Sequence, residues 1–272
     1  MNIDHASVRD LLRQTAEEII LPRWKNLQQD DIQHKAADDV VTVADREAEQ
    51  FLSQQLVKLL AGSQVVGEEA VHENAGRLKA LDGDAPVWVI DPLDGTGNFA
   101  AGDERFAIMV CLMLRGETLA AWIYQPLQNT LTSAELGAGA YANAARLRID
   151  APARPLSQLR GALLTRFLPD PLRPTAQAAA KAFREIDMSR CGGFDYPAFA
   201  QGDLQFLFYY RTLVWDHAPG SLIASEAGGL VRRLDGSAYQ PTDQRSGLLV
   251  ADNAQNWLNI QRQVTPDIAA QL

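Results

Sequence analysis

The residues richest in possible chemistry close an apolar run: Val87-Trp88-Val89-Ile90-Asp91-Pro92-Leu93-Asp94-Gly95-Thr96-Gly97-Asn98-Phe99. A buried strand leads directly into two carboxylates three residues apart, and a glycine-bounded turn follows. Asp-Pro and Asp-Gly are ordinary turn formers, and either pair alone means no more than that. Two acids crowded at one strand end are different, because they repel unless protons or a cation compensate them. Magnesium is the natural cation, since it prefers hard oxygen ligands and keeps some of its water.

Three further acidic segments have plain readings of their own. Thr42-x-x-Asp45 opens a helix as a capping box, with Asp45 reaching back to an orphan amide. Gly67-Glu68-Glu69 follows a short strand and reads as a solvated loop. Trp215-Asp216-His217 precedes an apolar helix, for which Asp216 is a ready N-cap and His217 a surface or supporting residue. Two other patterns point elsewhere. Gly95-x-Gly97-x-x-Ala100 matches the dinucleotide fingerprint, with Glu117 further on, as in a nicotinamide-dependent oxidoreductase. However, Asp91 and Asp94 would face the pyrophosphate, and Phe99-Ala-Ala-Gly-Asp does not open an amphipathic helix. The Asp-x-x-Asp-x-Thr spacing is also one residue too long for the phosphatases that use a nucleophilic aspartate. The chain has no His/Cys set at metal spacing, no Gly-x-Ser-x-Gly and no Walker loop.

These residues need elements to position them. Val8, Leu11, Leu12, Ala16, Ile19 and Ile20 recur at helical spacing, so a helix runs to near Pro22. The polar stretch from Asn26 to Asp38 reads as irregular. Ala48, Phe51, Leu52, Leu56, Leu59 and Leu60 mark a second helix that stops at Gly62. Strands are expected at Gln64–Val66, Val87–Ile90, Phe106–Leu114, Leu119–Tyr124, Leu131–Ala134 and Gly139–Tyr141, with Arg115-Gly116-Glu117 as a hairpin turn. Past the Pro152–Pro155 stretch come a helix over Thr175–Ile186, a strand at Phe206–Tyr210 and a helix from about His217 to Ala227. Strands at Leu230–Leu234 and Leu248–Ala251 complete a layered, mixed α/β pattern.

Composition limits the alternatives. The chain has 272 residues, 47% of them hydrophobic, which is enough for a large core. With 25 Lys+Arg against 34 Asp+Glu the formal charge is −9, so a broad nucleic-acid or anionic-lipid surface is not expected. Cys111 and Cys191 are too few for a disulfide scaffold or zinc cage, and a reduced cytoplasmic setting follows. Acids and bases mix through the first twenty residues, unlike a signal peptide. Phe106–Leu114 is far shorter than the ~20 residues that span a bilayer.

Taken in order, four pieces resemble the inositol monophosphatase family of magnesium-dependent, lithium-sensitive phosphatases. They are Asp39-Val-Val-Thr-Val-Ala-Asp45, Gly67-Glu68-Glu69, Trp88-Val-Ile-Asp91-Pro-Leu-Asp94-Gly-Thr96-x-Asn98-Phe99, and Trp215-Asp216-x-Ala218-x-Gly220 running into Glu226-Ala-Gly-Gly229. The likeness spans roughly residues 35 to 250. It implies an αβαβα sandwich of the α/β (α+β layered) class. Residues 1–150 would form an N-terminal domain carrying most metal ligands. Residues 151–272 would form a C-terminal domain supplying Asp216 and the residues that recognise substrate.

Carried over residue by residue, the resemblance makes Glu68, Asp91, Asp94, Asp216 and the Leu93 carbonyl ligands of two or three Mg2+ ions. Asp45 and Thr96, with Glu68, would activate the attacking water. The Gly95 and Thr96 amides would hold the phosphate, and Asp94, Gly193, Phe194 and Tyr209 would meet the rest of the substrate. The implied reaction is hydrolysis of inositol monophosphate or a related polyol or sugar phosphate by metal-activated water, with no covalent intermediate. A homodimer and lithium sensitivity are implied as well. The chain departs from the family where a second threonine is usual, at Gly97. It departs again at Gly192-Gly193-Phe194-Asp195, which replaces Gly-Ser/Thr-Ala-Ala, and at Tyr209, where an inositol-recognising glutamate is common. These changes keep a bisphosphate nucleotidase or a fructose-bisphosphatase as rivals. A metal-binding regulatory protein without turnover is the rival from another class.

Overall fold

The structure is a computed structural model that describes residues 3–28, 31–36, 39–170 and 172–265. Its layers follow from the alternation along β4 (Val87–Asp94), where successive side chains point to opposite faces. Val87 and Val89 enter one apolar cluster, and Trp88 and Ile90 enter another. β4 lies in a seven-stranded sheet, between β3 (Gln64–Gly67) and β5 (Ala107–Leu114). β6 (Glu117–Gln125), β7 (Thr130–Glu135), β8 (Gly139–Ala142) and β9 (Ala145–Leu147) continue it in order.

On the Trp88 face, α1 (His5–Thr15) and α2 (Val43–Leu59) bring Leu12, Leu52 and Leu56 against Val110 and Trp122. On the Val89 face, α6 (Gly192–Gln201) and α7 (Val214–Glu226) bring Tyr196, Phe199 and Ile223 against Met109 and Cys111. The same cluster reaches Leu207 and Val250 of a second sheet. That sheet is built from β10 (Arg160–Leu163), β11 (Glu185–Asp187), β12 (Phe206–Tyr209), β13 (Leu230–Arg232) and β14 (Leu248–Ala251), in the order β11-β10-β12-β14-β13. Its far face packs α5 (Arg173–Ala179) and α8 (Ala254–Val264) through Phe206, Phe208, Ala176 and Trp257. The five layers are therefore αβαβα, as the resemblance implied.

The β5–β6 turn shows why Arg115-Gly116 is a good hairpin signal. Both residues have positive φ, 51° and 79°, which matches the twist of the flanking strands. Other expectations change. The stretch read as irregular, Asn26 to Asp38, contains β1 (Ile32–Ala36), which pairs antiparallel with β2 (Asp39–Thr42) just beyond it; residues 29–30 and 37–38 lie outside those described. The helix expected over Thr175–Ile186 is α5 plus one 3-10 turn ending at Ala182, and Glu185–Asp187 is a strand. β4 does not stop at Ile90. The helix near His217 starts at Val214, so Leu213 is its N-cap and Asp216 lies inside its first turn.

The dinucleotide reading fails on topology. After β4 comes only the short α4 (Thr96–Ala100), and β5 returns antiparallel instead of crossing over to a parallel neighbour. Among the described residues, no helix is long and apolar enough to cross a membrane.

Candidate active site

The site begins with an irregularity in β4. Asp91 opposes Met109 and Asp94 opposes Ala107, so three steps along β4 match two along β5. In a regular strand, residues three apart face opposite sides, and the extra residue of a bulge returns them to the same side. Pro92, which lacks an N–H, sits at the interruption, where no ladder bond is required of it. The Asp91 carboxylate closes the bulge locally by accepting from the Leu93 amide at 3.1 Å. Gly95 then turns the chain with φ +83°. A Cβ there would stand 2.7 Å from the Arg105 carbonyl oxygen, so both conformation and space require glycine.

Glu68 and Glu69 are not a loop. They open α3 (Glu68–Glu73), directly after β3. The start of that helix is held by Glu49, whose carboxylate accepts from the Glu69 and Ala70 amides at 2.7 and 2.8 Å. Gly67 makes the approach possible, because a Cβ on it would lie 2.3 Å from the Glu49 carboxyl carbon. Glu49 was not among the residues expected to matter. Its signal was present nevertheless: it follows Asp45 by four residues on the helix face that Ala48, Leu52 and Leu56 bury.

Asp45 unites the plain reading and the chemical one. Its Oδ2 accepts from the Thr42 amide at 2.8 Å and the Thr42 hydroxyl at 2.6 Å, completing the capping box. Its Oδ1 lies 2.9 Å from Thr96 Oγ1, which is also 2.9 Å from the Leu93 carbonyl oxygen. Burial pushes the Asp45 carboxyl up to about 6, against the opposing effect of its hydrogen bonds.

Carboxylate oxygens of Glu68, Asp91 and Asp216 lie within 4.8 Å of one another. Asp91 is only 2% exposed. Burial first, then the charges of Glu68, Asp94, Asp216 and Asp45, hold its carboxyl well above the ordinary range. Three hard oxygen donors converging on one partly buried site fit a divalent cation, so this cluster could hold a metal.

Asp94 lies beside the cluster but is turned toward the second half of the chain. Its Oδ2 accepts from the Gly193 amide at 2.5 Å and the Cys191 thiol at 3.0 Å. These bonds oppose the burial that raises its carboxyl. Both donors belong to the start of α6, a helix that sequence reasoning missed because Gly192-Gly193 and Pro197 disguise it. Pro197 cannot donate to the Gly193 carbonyl four residues back, and Gln125 Nε2 donates there instead, at 3.1 Å.

The residues expected to meet the substrate have protein partners of their own. Phe194 is half-buried against the core shared by the two sheets. The Tyr209 hydroxyl donates to Asp195 at 2.8 Å, and Ser189 donates to the other Asp195 oxygen. Buried Asp195 is pushed up to about 7 by desolvation. His217 is buried rather than on the surface, and desolvation lowers it to about 3. Its Nε2 faces the Arg211 carbonyl at 3.0 Å, so the neutral ring must carry its proton there and accept from the Tyr196 hydroxyl at Nδ1, 2.9 Å away.

Known proteins share this architecture. A model of the inositol monophosphatase family matches residues 5–270. The Nus factor SuhB of Vibrio cholerae is 32% identical over 228 residues, 80% of this chain and 80% of that protein. The inositol-1-monophosphatase of Rhizobium meliloti is 34% identical over 203 residues, 72% of each chain. Among solved structures, the extragenic suppressor protein suhB from Bartonella henselae has a TM-score of 0.82 at 24% identity, covering 96% of this chain and 98% of that one.

Proposed function

The chain belongs to the inositol monophosphatase family, and from that premise we propose that it hydrolyses a small phosphate monoester with the aid of magnesium. The observation that carries the reading is the pairing of two devices. One is the cluster of Glu68, Asp91 and Asp216, and the other is the Asp45–Thr96 contact, close enough for the Asp45 charge to bear on Asp91.

In this reading Glu68, Asp91, Asp94, Asp216 and the Leu93 carbonyl hold two or three Mg2+ ions. Bound Mg2+ would lower the pKa of a water and neutralise charge on the ester. Thr96 donates its proton to Asp45 and turns its lone pairs toward the attacking water. Asp45 takes up the proton that the water gives through the hydroxyl, and Glu68 assists from the cluster side. The Gly95 and Thr96 amides meet the phosphate at the turn that Gly95 permits. Gly193 acts on substrate through Asp94, because its amide is already bonded there. Phe194 and Tyr209 border the alcohol part, an inositol or a related polyol or sugar. No covalent intermediate is required. The proposal extends, on family likeness, to a lithium-sensitive homodimer in the cytoplasm, formed of domains divided near residue 150.

The test is phosphate release from a panel of monoesters that includes inositol 1-phosphate, with and without magnesium and lithium. Asp91→Asn should abolish turnover in a protein that still folds. A folded Asp91→Asn protein with wild-type turnover would sink the mechanism. A second reading, a regulatory protein that keeps the acidic site without turnover, draws support from the name of the Vibrio cholerae relative. Absence of magnesium-dependent turnover across the panel would favour it.

A further inference from the structure

Gly220 lies inside α7, where a glycine weakens the helix. Space requires it there, because a Cβ on Gly220 would run into the Tyr196 ring. Tyr196 of α6 is thus packed directly on α7, one turn beyond Asp216.

What Tyr196 reaches on α7 is His217. The Tyr196 hydroxyl donates to Nδ1 at 2.9 Å, and the Nε2–H donates to the Arg211 carbonyl at 3.0 Å. Tyr209 adds a third ring, its centroid 4.5 Å from that of His217 and 5.7 Å from that of Tyr196. All three side chains are buried. With both ring nitrogens bonded, the imidazole cannot turn without orphaning a buried polar atom.

The place of this ring matters because of where α7 begins. Its N-cap, Leu213, gives the first turn no side-chain hydrogen bond, and that turn carries Asp216. His217 closes the junction twice. Its amide donates to the Leu213 carbonyl at 3.2 Å, and its ring holds the Arg211 carbonyl of the incoming chain. The start of α6 borders both acids: a Cβ on Gly192 would lie 3.4 Å from the Asp216 carbonyl oxygen and 3.7 Å from Asp94 Oδ2. One turn later, Tyr196 therefore joins the helix that holds Asp94 to the helix that carries Asp216.

We propose that His217 is a positioning residue for the carboxylate cluster. Through Tyr196 and the Arg211 carbonyl it fixes the first turn of α7, so that Asp216 meets Glu68 and Asp91. The inference rests on the magnesium-dependent phosphatase reading and adds a residue that acts through Asp216 rather than on the cation.

The experiment titrates Mg2+ calorimetrically into metal-free wild type, His217→Phe, Tyr196→Phe, His217→Gln and Ile260→Ala. Groups that orient metal ligands are commonly worth roughly 10–100-fold in metal affinity. His217→Phe keeps a ring without its bonds and should raise the Mg2+ dissociation constant by about tenfold. Tyr196→Phe, which removes one oxygen, should raise it less, and it carries the test alone if His217→Phe does not fold. His217→Gln, whose amide can reach the Arg211 carbonyl, should recover part of the loss. Ile260→Ala, in the far apolar cluster, should lower the melting temperature and leave the Mg2+ constant unchanged. In phosphate release, the Mg2+ requirement of the His217 and Tyr196 variants should rise while kcat at saturating Mg2+ stays within about threefold of wild type. Wild-type Mg2+ constants in His217→Phe and Tyr196→Phe overturn the proposal and leave the phosphatase reading standing. An equal rise in Ile260→Ala overturns it too, as general destabilisation. If Mg2+ binds but no monoester turns over, the phosphatase reading fails, and the binding constants still decide the role of His217. If the wild type takes up no Mg2+, both fall.

Discussion

Asp45 Oδ1 lies 2.9 Å from the Thr96 hydroxyl, 51 residues away in the chain, while its Oδ2 caps α2 through Thr42. One side chain thus joins the cap of α2 to the acidic site, and, if the proposed reaction uses it, substitutions on its two sides should separate the two roles. Thr42→Val should cost about 1 kcal/mol through the lost cap and retain most turnover. Thr96→Val should cost about as much stability through its lost hydrogen bonds, yet lower turnover about 100-fold or more. Thermal melts and initial rates on both variants check this. Equal turnover in the two would mean that the contact is structural only.

Glu49 holds α3 in place through the Glu69 and Ala70 amides, so the position of Glu68 depends on a residue outside the carboxylate cluster. Glu49→Ala should destabilise by about 1–3 kcal/mol, because two amides lose their acceptor. It should also raise the magnesium concentration needed for thermal stabilisation. Gly67→Ala should act in the same direction, since its Cβ would stand 2.3 Å from the Glu49 carboxyl carbon. Magnesium titrations followed by melting temperature would show it. Unchanged midpoints would place Glu49 outside metal binding.

What could be read from the chain, and what could not, has a physical pattern. The long strands Ala107–Leu114 and Glu117–Gln125 announce themselves by apolar length and a turn with positive φ. The acidic pieces were found, but their geometry was not. That Asp91 and Asp94 share a face depends on a bulge, which is a property of pairing with β5 rather than of local propensity. α6 was hidden because its first-turn glycines and its proline are poor helix formers, and its proline is tolerated only where Gln125 supplies the missing bond. Short β10 and β11 gain their stability from neighbours distant in the chain.

Two buried carboxyls set a pH dependence in chelator, where no cation is bound. Asp45 is raised to about 6 and Asp195 to about 7, from an ordinary value near 3.9. A raised folded pKa gives stability that is complete below the unfolded value and lost as pH climbs through the folded one. His217, lowered to about 3, acts oppositely below about 6.5, but the buried carboxyls of Asp91 and Asp94 are raised as well, so the carboxyls outweigh it. Metal-free melting temperature should therefore rise from about pH 8 to about pH 5, and Asp195→Asn should flatten the slope. A melting temperature that falls steadily over that range would contradict the assignment.

The two halves of the chain meet at Asp94, and their junction is tight enough to be tested by one methyl group. A Cβ on Gly193 would stand 2.4 Å from the Ala107 Cβ and 3.2 Å from Asp94 Oδ2. Neither neighbour can swing away: Ala107 is fixed in β5 and fully buried, and Asp94 Oδ2 is held by the Cys191 thiol as well as the Gly193 amide. Gly193→Ala should thus move the start of α6 and cost about 1–3 kcal/mol as overpacking. Cys191→Val keeps the volume and removes only the weak donor, so its effect on melting should be smaller. If Asp94 binds metal or substrate from this anchored position, both variants should raise KM or the magnesium requirement, while Cys191→Ser, which keeps a donor, should not. Equal shifts in all three variants would mean that the loop tolerates Asp94 moving freely, and that α6 does not position it.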